Sequence, residues 1–243
     1  MNHKLSIIFA ALNEEAYIGD SIGLLKSRLT YPHEVIVSDG KSTDRTVEIA
    51  RGLADKVVTY EGVTRQNISQ GRNAGAQAAT GDFLIFMDSD SRITDPDANF
   101  KRALAHFDAN PSLVGMTTRL RVYPESATLT DRIIFGILSF NLLVMNNIFH
   151  TGESTGEFQM IRRSAFEQLK GFREDLVTRE DADMFLRLSK IGRTMLDWRL
   201  VTFHSGRRAH KVGWPKLLAT WTINTIWVKL FNTAKDKEWT VVR

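Results

Sequence analysis

The chain has 243 residues, 43% hydrophobic and 25% charged, a balance that excludes a disordered chain, a collagen and a polytopic membrane protein. It contains no cysteine, which removes disulfide scaffolds, zinc–thiolate sites, iron–sulfur clusters and cysteine nucleophiles together and points to a reducing compartment. The net charge of +4 is unevenly placed: from Arg199 onward nine Lys or Arg stand against two Asp or Glu, so the Trp-rich C-terminal part suits phosphates, nucleic acid or an anionic membrane surface, or else is a solvated helix face.

The apolar run Leu5–Leu12 leads into Asn13-Glu14-Glu15 rather than a small-residue cleavage site, so it reads as a strand and not as a secretory signal. Its core, Leu5–Phe9, predicts a buried strand, and Glu14–Arg28 has helical spacing through Ile18, Ile22 and Leu25. Glu34–Asp39 is the next strand, stopped by Gly40, and Ser42 or Thr43 is placed to cap a helix carrying Val47, Ile49 and Ala50. Lys56–Tyr60 is a third strand, Thr64–Ala79 an Ala-rich helix ended by Gly81, and Phe83–Met87 a fourth strand. Strand and helix alternating in this way predict an α/β fold with a doubly wound, mostly parallel central sheet and flanking helices.

The second half is less regular. Asp95–Asp108 predicts a helix with Pro96 in its first turn, Leu113–Arg121 a strand, Leu129–Phe149 a long helix and Gly156–Ile161 a short strand. Ser164–Leu169 and Asp181–Lys190 predict helices, Met195–Phe203 a last strand, and Trp214–Phe231 a terminal amphipathic helix. No repeat, low-complexity tract or linker interrupts the chain, so one domain over 1–213 is expected, with a C-terminal segment 214–243 added to it.

Ligands of such sheets bind beyond the carboxyl ends of the strands. There the sequence places Ala10 to Glu14, Asp39 to Asp44 and Asp88-Ser89-Asp90. Three acidic clusters on one rim repel unless a cation or a donor-rich ligand lies among them. Two carboxylates one residue apart suit a hard divalent ion whose shell is completed by phosphates; a solvated turn is the plain alternative.

The combination resembles the family 2 glycosyltransferases, an inverting group with a GT-A fold that uses nucleotide-activated sugars. The resemblance runs from about Leu5 to Gly213. It is carried by Ser6–Glu15, Val35–Asp44, Gly71-Arg72-Asn73-Ala74-Gly75, Ala79–Asp82, Asp88-Ser89-Asp90, Gly156–Arg163, Gly171-Phe172 and Glu180–Arg187, in that order. It implies a nucleotide-binding half over 1–92 and an acceptor half over 93–213. It further implies that Ala10, Leu12, Glu14, Asp39, Arg72, Asp88, Ser89, Arg207 and Arg208 bind the nucleotide sugar. Asp39 would accept from the base and Glu14 would bond ribose. Asp90 would be a direct ligand of Mg2+ or Mn2+ and His204 a further one, and Asp181 would be the catalytic base. Arg207, Arg208 and His210 would lie in a loop closing over the diphosphate.

The implied donor is a nucleotide-diphosphate sugar, and the implied acceptor a glycan or lipid-linked molecule. No nucleic acid is expected. Ala10-Ala11 departs from the Pro and aromatic residue common in the family, Lys170 from a common Gly, and the Gln-x-x-Arg-Trp pattern of processive synthases is absent.

In Ile133–His150, Gly136, Ser139, Asn146, Asn147 and His150 fall on one helical side and leave a broad apolar face. With the Trp-bearing terminal helix this suggests peripheral contact with the inner face of the cell membrane in a cytoplasmic protein, or core or homo-oligomer packing. The competing functions are a sugar-1-phosphate nucleotidyltransferase, disfavoured because Ala10–Ile18 lacks glycine, and a non-catalytic membrane-associated nucleotide- or glycan-binding module, disfavoured by the retained Asp88, Asp90 and Asp181.

Overall fold

The computed structural model describes residues 3–234. Its first half alternates β1 (Leu5–Ala11), α1 (Ile18–Arg28), β2 (His33–Asp39), α2 (Thr46–Leu53), β3 (Lys56–Thr59), α3 (Ile68–Ala78) and β4 (Phe83–Met87). The second half adds β5 (Ser91–Arg92), α4 (Pro96–Ala109), β6 (Leu113–Val122), α5 (Leu129–Leu143), β7 (Gln159–Arg162), α6 (Arg163–Gln168), α7 (Glu180–Leu188), β8 (Arg193–His204), α8 (Arg207–Val212) and α9 (Trp214–Phe231). A π-helical turn, Val144–Ile148, prolongs α5. The strands form one sheet in the order β3-β2-β1-β4-β7-β6-β8-β5.

The first four strands are parallel, in a register that sets Ala11 beside Asp39 and Phe9 beside Met87. Helices cover both faces, so these strands carry continuous apolar runs rather than alternation. Ile7, Phe9, Val35, Val37 and Ile85 pack with residues of α1 and α4 on one face. Ile8, Ile36, Leu84 and Phe86 pack with residues of α3, α6 and α7 on the other. Full burial of each such side chain contributes about 1.5–3 kcal/mol.

The regularity stops at β7, which runs antiparallel to both β4 and β6. Two reversals restore direction, so β6 and the parallel β8 end on the same rim as β1, β2 and β4. The sheet is therefore parallel through its first half and mixed in its second.

Several local expectations are corrected. Helix α1 begins at Ile18, because Glu14–Tyr17 form a turn closed by Tyr17 and Ile18 N–H groups on the Glu14 carbonyl. Neither Ser42 nor Thr43 caps α2; Asp44 instead accepts from the Thr46 N–H at 2.9 Å. Gly81 is not a left-handed cap. A Cβ there would lie 2.7 Å from both the Lys4 carbonyl and Ser6 Oγ, so glycine is needed for close approach to β1. β7 starts only at Gln159, and Arg207–Val212 is a short helix rather than a loop.

Helix α5 is the larger surprise. Its inward side mixes polar Asp131 and Ser139 with Phe135 and Leu142, while several large apolar side chains point outward. Asp131, Ser139 and Asn146 are fully buried, while Leu129, Ile133, Ile137 and Phe140 are exposed. Each buried polar group has a partner. Ser139 Oγ accepts from Leu120 N–H at 3.0 Å, and Asn146 Nδ2 donates to the Leu142 and Glu153 carbonyls. Asn147 brackets the Leu196 N–H and carbonyl of β8. Helix α9 matches its predicted span but is apolar around its circumference: Leu217 is buried, whereas Leu218, Ile223, Ile226, Leu230 and Phe231 are exposed. The part of segment 214–243 after Ala234 lies outside the described residues.

Candidate active site

The loops after β1 and β2 are tied to each other before they meet any ligand. Asn13 adopts the left-handed conformation, φ 56°, and its Oδ1 accepts from the Thr43 N–H at 2.7 Å while its own N–H donates to Ser42 Oγ. The Glu14 N–H donates to Thr46 Oγ1. Asp39 is fully buried at the end of β2 and accepts from the Lys41 and Ser42 N–H groups at 3.0 Å. Ala10 lines the adjoining wall; a Cβ on Gly71 would stand 3.1 Å from the Ala10 Cβ. Leu12 is half-buried in the same loop.

Arg207, at the start of α8, reaches across this rim. Its guanidinium forms two bonds with the Glu14 carboxylate, at 2.8 and 2.7 Å, and its Nε lies 3.2 Å from Asp90 Oδ2. It also stacks over the Tyr17 ring at 4.9 Å. Burial pushes the Glu14 carboxyl up, opposed by Arg207. Asp90 is held further by Ser205 Oγ and, through its carbonyl, by the Tyr123 hydroxyl. Ser89 is buried with its carbonyl accepting from Ser21 Oγ. Glu14, Asp90 and Arg207, predicted from three separate stretches, thus meet at one point.

A second cluster lies beneath. Arg72, only 2% exposed, donates to Glu180 at 2.9 Å and to Asp88 at 3.2 Å, and packs on the Phe172 ring. The resemblance implies a nucleotide contact for Arg72; in the structure its guanidinium is a buried counter-ion linking the Asp88 loop to α7. Gly156 leaves room for this pair: a Cβ there would fall 2.7 Å from Arg72 Nη2 and 3.0 Å from Asp88 Oδ2, so the side-chain ends would have to shift. Asp181 is half-exposed in the first turn of α7, behind a left-handed Arg179 with φ 64°. One carboxylate oxygen accepts from the Ala182 N–H, and its carbonyl accepts from Gln159 Nε2. Asp183 is engaged by Arg187 at 2.7 Å.

Sequence reasoning missed Glu153 and Glu157. Glu157 is raised to about 7, first by burial and then by the Asp88 charge. Glu180 is also raised to about 7, by burial and then by Asp181, against the pull of Arg72. Glu153 pairs with Arg179 at 3.0 Å. The available signal was Gly156-Glu157 just before a buried strand, where a carboxylate is out of place unless it has a task.

His204 ends β8 beside Ser91 of β5. Its Nδ1 accepts from the Gly206 N–H at 3.2 Å, and Nε2 is buried with no hydrogen-bond partner. Burial lowers its pKa to about 4, so the ring is neutral near pH 7. With Nδ1 accepting, the ring proton sits on Nε2, and ligation by Nε2 requires the other tautomer. Among the described residues no group of three or more His, Asp or Glu side chains is arranged to hold a metal. Asp88 and Asp90 fit Mg2+ or Mn2+ in another sense: they are hard oxygen donors, and such ions are commonly held by one or two carboxylates plus substrate phosphates. Arg208 is half-buried near Asp88 and Asp90, both of which act on its charge.

A sheet that is parallel through its first half, with carboxylates gathered at its rim, is the architecture of the GT-A glycosyltransferases. The fold matches the mannosyltransferase PcManGT of Pyrobaculum calidifontis, solved with GDP-Man and Mn2+, with a TM-score of 0.73 and 18% identity over 97% of this chain and 66% of that one. It matches S. aureus TarS 1–349 in complex with UDP-GlcNAc at 0.63 and 21% identity, over 96% and 68%. The chain belongs to glycosyl transferase family 2, whose family model matches residues 6–170. It is 26% identical over 207 residues to the O-antigen chain rhamnosyltransferase RfbN of Salmonella typhimurium, covering 78% of this chain and 62% of that protein. It is 28% identical over 199 residues to the putative glycosyltransferase EpsE of Bacillus subtilis, covering 78% and 68%. The chain thus spans about three-fifths of the length of RfbN.

Proposed function

We propose that this chain is an inverting, metal-dependent glycosyltransferase that moves a sugar from a nucleotide-diphosphate donor to a hydroxyl or polyprenyl-phosphate acceptor at the inner face of the cell membrane. The observation that carries the reading is the joint placement of Asp88, Asp90 and Asp181 on one rim, with Arg72 and Glu180 bridging Asp88 to the helix that bears Asp181. Names of relatives support the donor class: TarS was solved with UDP-GlcNAc and PcManGT with GDP-Man.

In this reading Asp39 receives donors of the base, and Glu14 the ribose hydroxyls. Arg207 and Arg208 supply forked donors for phosphate. Asp90, with Asp88, would hold Mg2+ or Mn2+, which supplies charge neutralisation for the departing diphosphate. Asp181 takes the proton of a hydroxyl acceptor as its oxygen attacks the anomeric carbon opposite that leaving group. A phosphate acceptor is already ionised and needs no base.

The test is Asp181→Asn. On a hydroxyl acceptor this variant should keep donor binding, read as donor-dependent thermal stabilisation, and lose turnover by about 10²–10⁴-fold. Near-normal turnover on a proven hydroxyl acceptor refutes Asp181 as the base. No stabilisation of the wild type by any nucleotide-diphosphate sugar with Mn2+ refutes the donor class.

A further inference from the structure

Helix α5 and its π turn, Leu129–Ile148, form the one helix among the described residues long and apolar enough to cross a membrane by composition, with a mean hydropathy of 1.3. The side chains say it does not cross. Asp131, Ser139, Asn146 and Asn147 bind α5 and its turn to the rest of the fold, and Asp131 does so most firmly. It is fully buried and accepts from Trp214 Nε1 at 2.9 Å and from Thr128, with His210 Nε2 at 2.8 Å. Phe135 packs against Trp214, ring centroids 5.3 Å apart. The N-terminal ends of α5 and α9 are therefore locked together.

Beyond this lock each helix turns apolar side chains to the outside. Leu129, Ile133, Ile137 and Phe140 recur at spacings of four, four and three along α5, and Ile223, Ile226 and Leu230 at three and four along α9. Ile137 is 65% exposed and Leu230 71%. The exposed ionic residues of these two helices are Arg132, Lys216 and Lys229, all cationic, while the one acid, Asp131, is buried.

We propose that the outward faces of α5 and α9 form one monotopic seat for an anionic lipid leaflet, with α5 lying in the headgroup–acyl boundary rather than across the bilayer. Apolar stripes flanked by cations match that boundary, where apolar burial and attraction to anionic headgroups add. A second copy of the chain fits less well, because it would bring together two faces whose exposed ionic residues are all cationic. The proposal gives a surface to the membrane contact in the functional reading but does not depend on the transfer chemistry.

The experiment is co-sedimentation of the full chain with vesicles of phosphatidylglycerol and phosphatidylcholine, against phosphatidylcholine alone. Binding should need the anionic lipid and weaken with salt. Ile137→Ser with Phe140→Ser, and separately Ile226→Ser with Leu230→Ser, should each lower partitioning on the order of tenfold or more. Both double variants should keep the wild-type melting temperature, since these side chains are exposed, and keep stabilisation by donor with Mn2+, so a failed seat is distinguished from a failed transferase reading. Alkaline carbonate should release the bound protein. Wild type that ignores anionic vesicles overturns the proposal. So does retention in carbonate, which means a span, or loss confined to the α9 pair, which means α9 acts alone. A dimer dispersed by the same substitutions without vesicle binding assigns the face to a second copy.

Discussion

Replacing Arg72 with Met removes the only cation bonded to Glu180 among the hydrogen bonds and ion pairs described. Arg72 is 2% exposed, and its bond to Glu180 lies in a buried region. Deleting one partner of a buried pair costs about 3–5 kcal/mol, because the other charge is left without compensation. The Asp88 side chain is 37% exposed, so its share is screened and the magnitude rests on Glu180. For a chain of this length 1 kcal/mol is worth about 2 °C, so the melting temperature should fall by about 6–10 °C at pH 8. The loss should shrink as pH falls. Glu180 is already raised to about 7 with Arg72 present. A carboxyl whose folded pKa lies above its unfolded value takes a proton preferentially in the folded state, so that protonation relieves the variant. Scanning calorimetry at pH 8 and pH 6 reads both effects. Adding Glu180→Gln to Arg72→Met should recover much of the loss at pH 8. An unchanged melting temperature at pH 8, or a loss equal at both pH values, would refute the view of Arg72 as an internal counter-ion.

Two further outcomes follow from the same geometry. The pKa of His204, lowered to about 4 by burial from an ordinary 6.5, means the unfolded chain binds the extra proton between those values. Stability should therefore rise with pH from 4 to 6.5, and His204→Gln should remove about 3 kcal/mol of that rise in denaturant titrations at the two ends; an identical pH dependence in the variant contradicts a neutral buried ring. Gly156→Ala forces a Cβ against Arg72 and Asp88 and should cost about 1–2 kcal/mol, or roughly 2–4 °C, while weakening metal-dependent donor binding; full donor affinity would show that Asp88 is free to move.

The first half of the fold was legible because its strands are buried on both faces, so Leu5–Phe9 and Phe83–Met87 read as unbroken apolar runs ended by polar rim residues. The rim itself was legible for the same reason: wherever a strand stops, its next residues face ligand or solvent. The burial of Arg72 could not be read locally, because its partner Glu180 lies 108 residues away, and nothing local distinguishes a buried Arg from a wet one. Helix α8 was missed because its six residues start from a left-handed Gly206 without a side-chain cap. For α5 the sequence left open whether its apolar side meets a membrane, the core or a second copy, because a polar side can be either solvated or buried. Here Asp131, Ser139 and Asn146 each find a backbone or ring partner, which removes the cost of burying them. Gly81 looked like a helix stop, yet it is conserving space against β1 rather than adopting a special φ.

Metal-dependent donor binding tests the central claim most directly. Titration calorimetry of a nucleoside diphosphate into the full chain, with Mn2+ and with chelator, should show binding that needs the metal. In Asp90→Asn that dependence should be largely lost, because a charged oxygen donor is replaced by a neutral one. Equal affinity with and without metal, or an Asp90→Asn variant that binds as the wild type does, would contradict the assignment of this rim as the donor site.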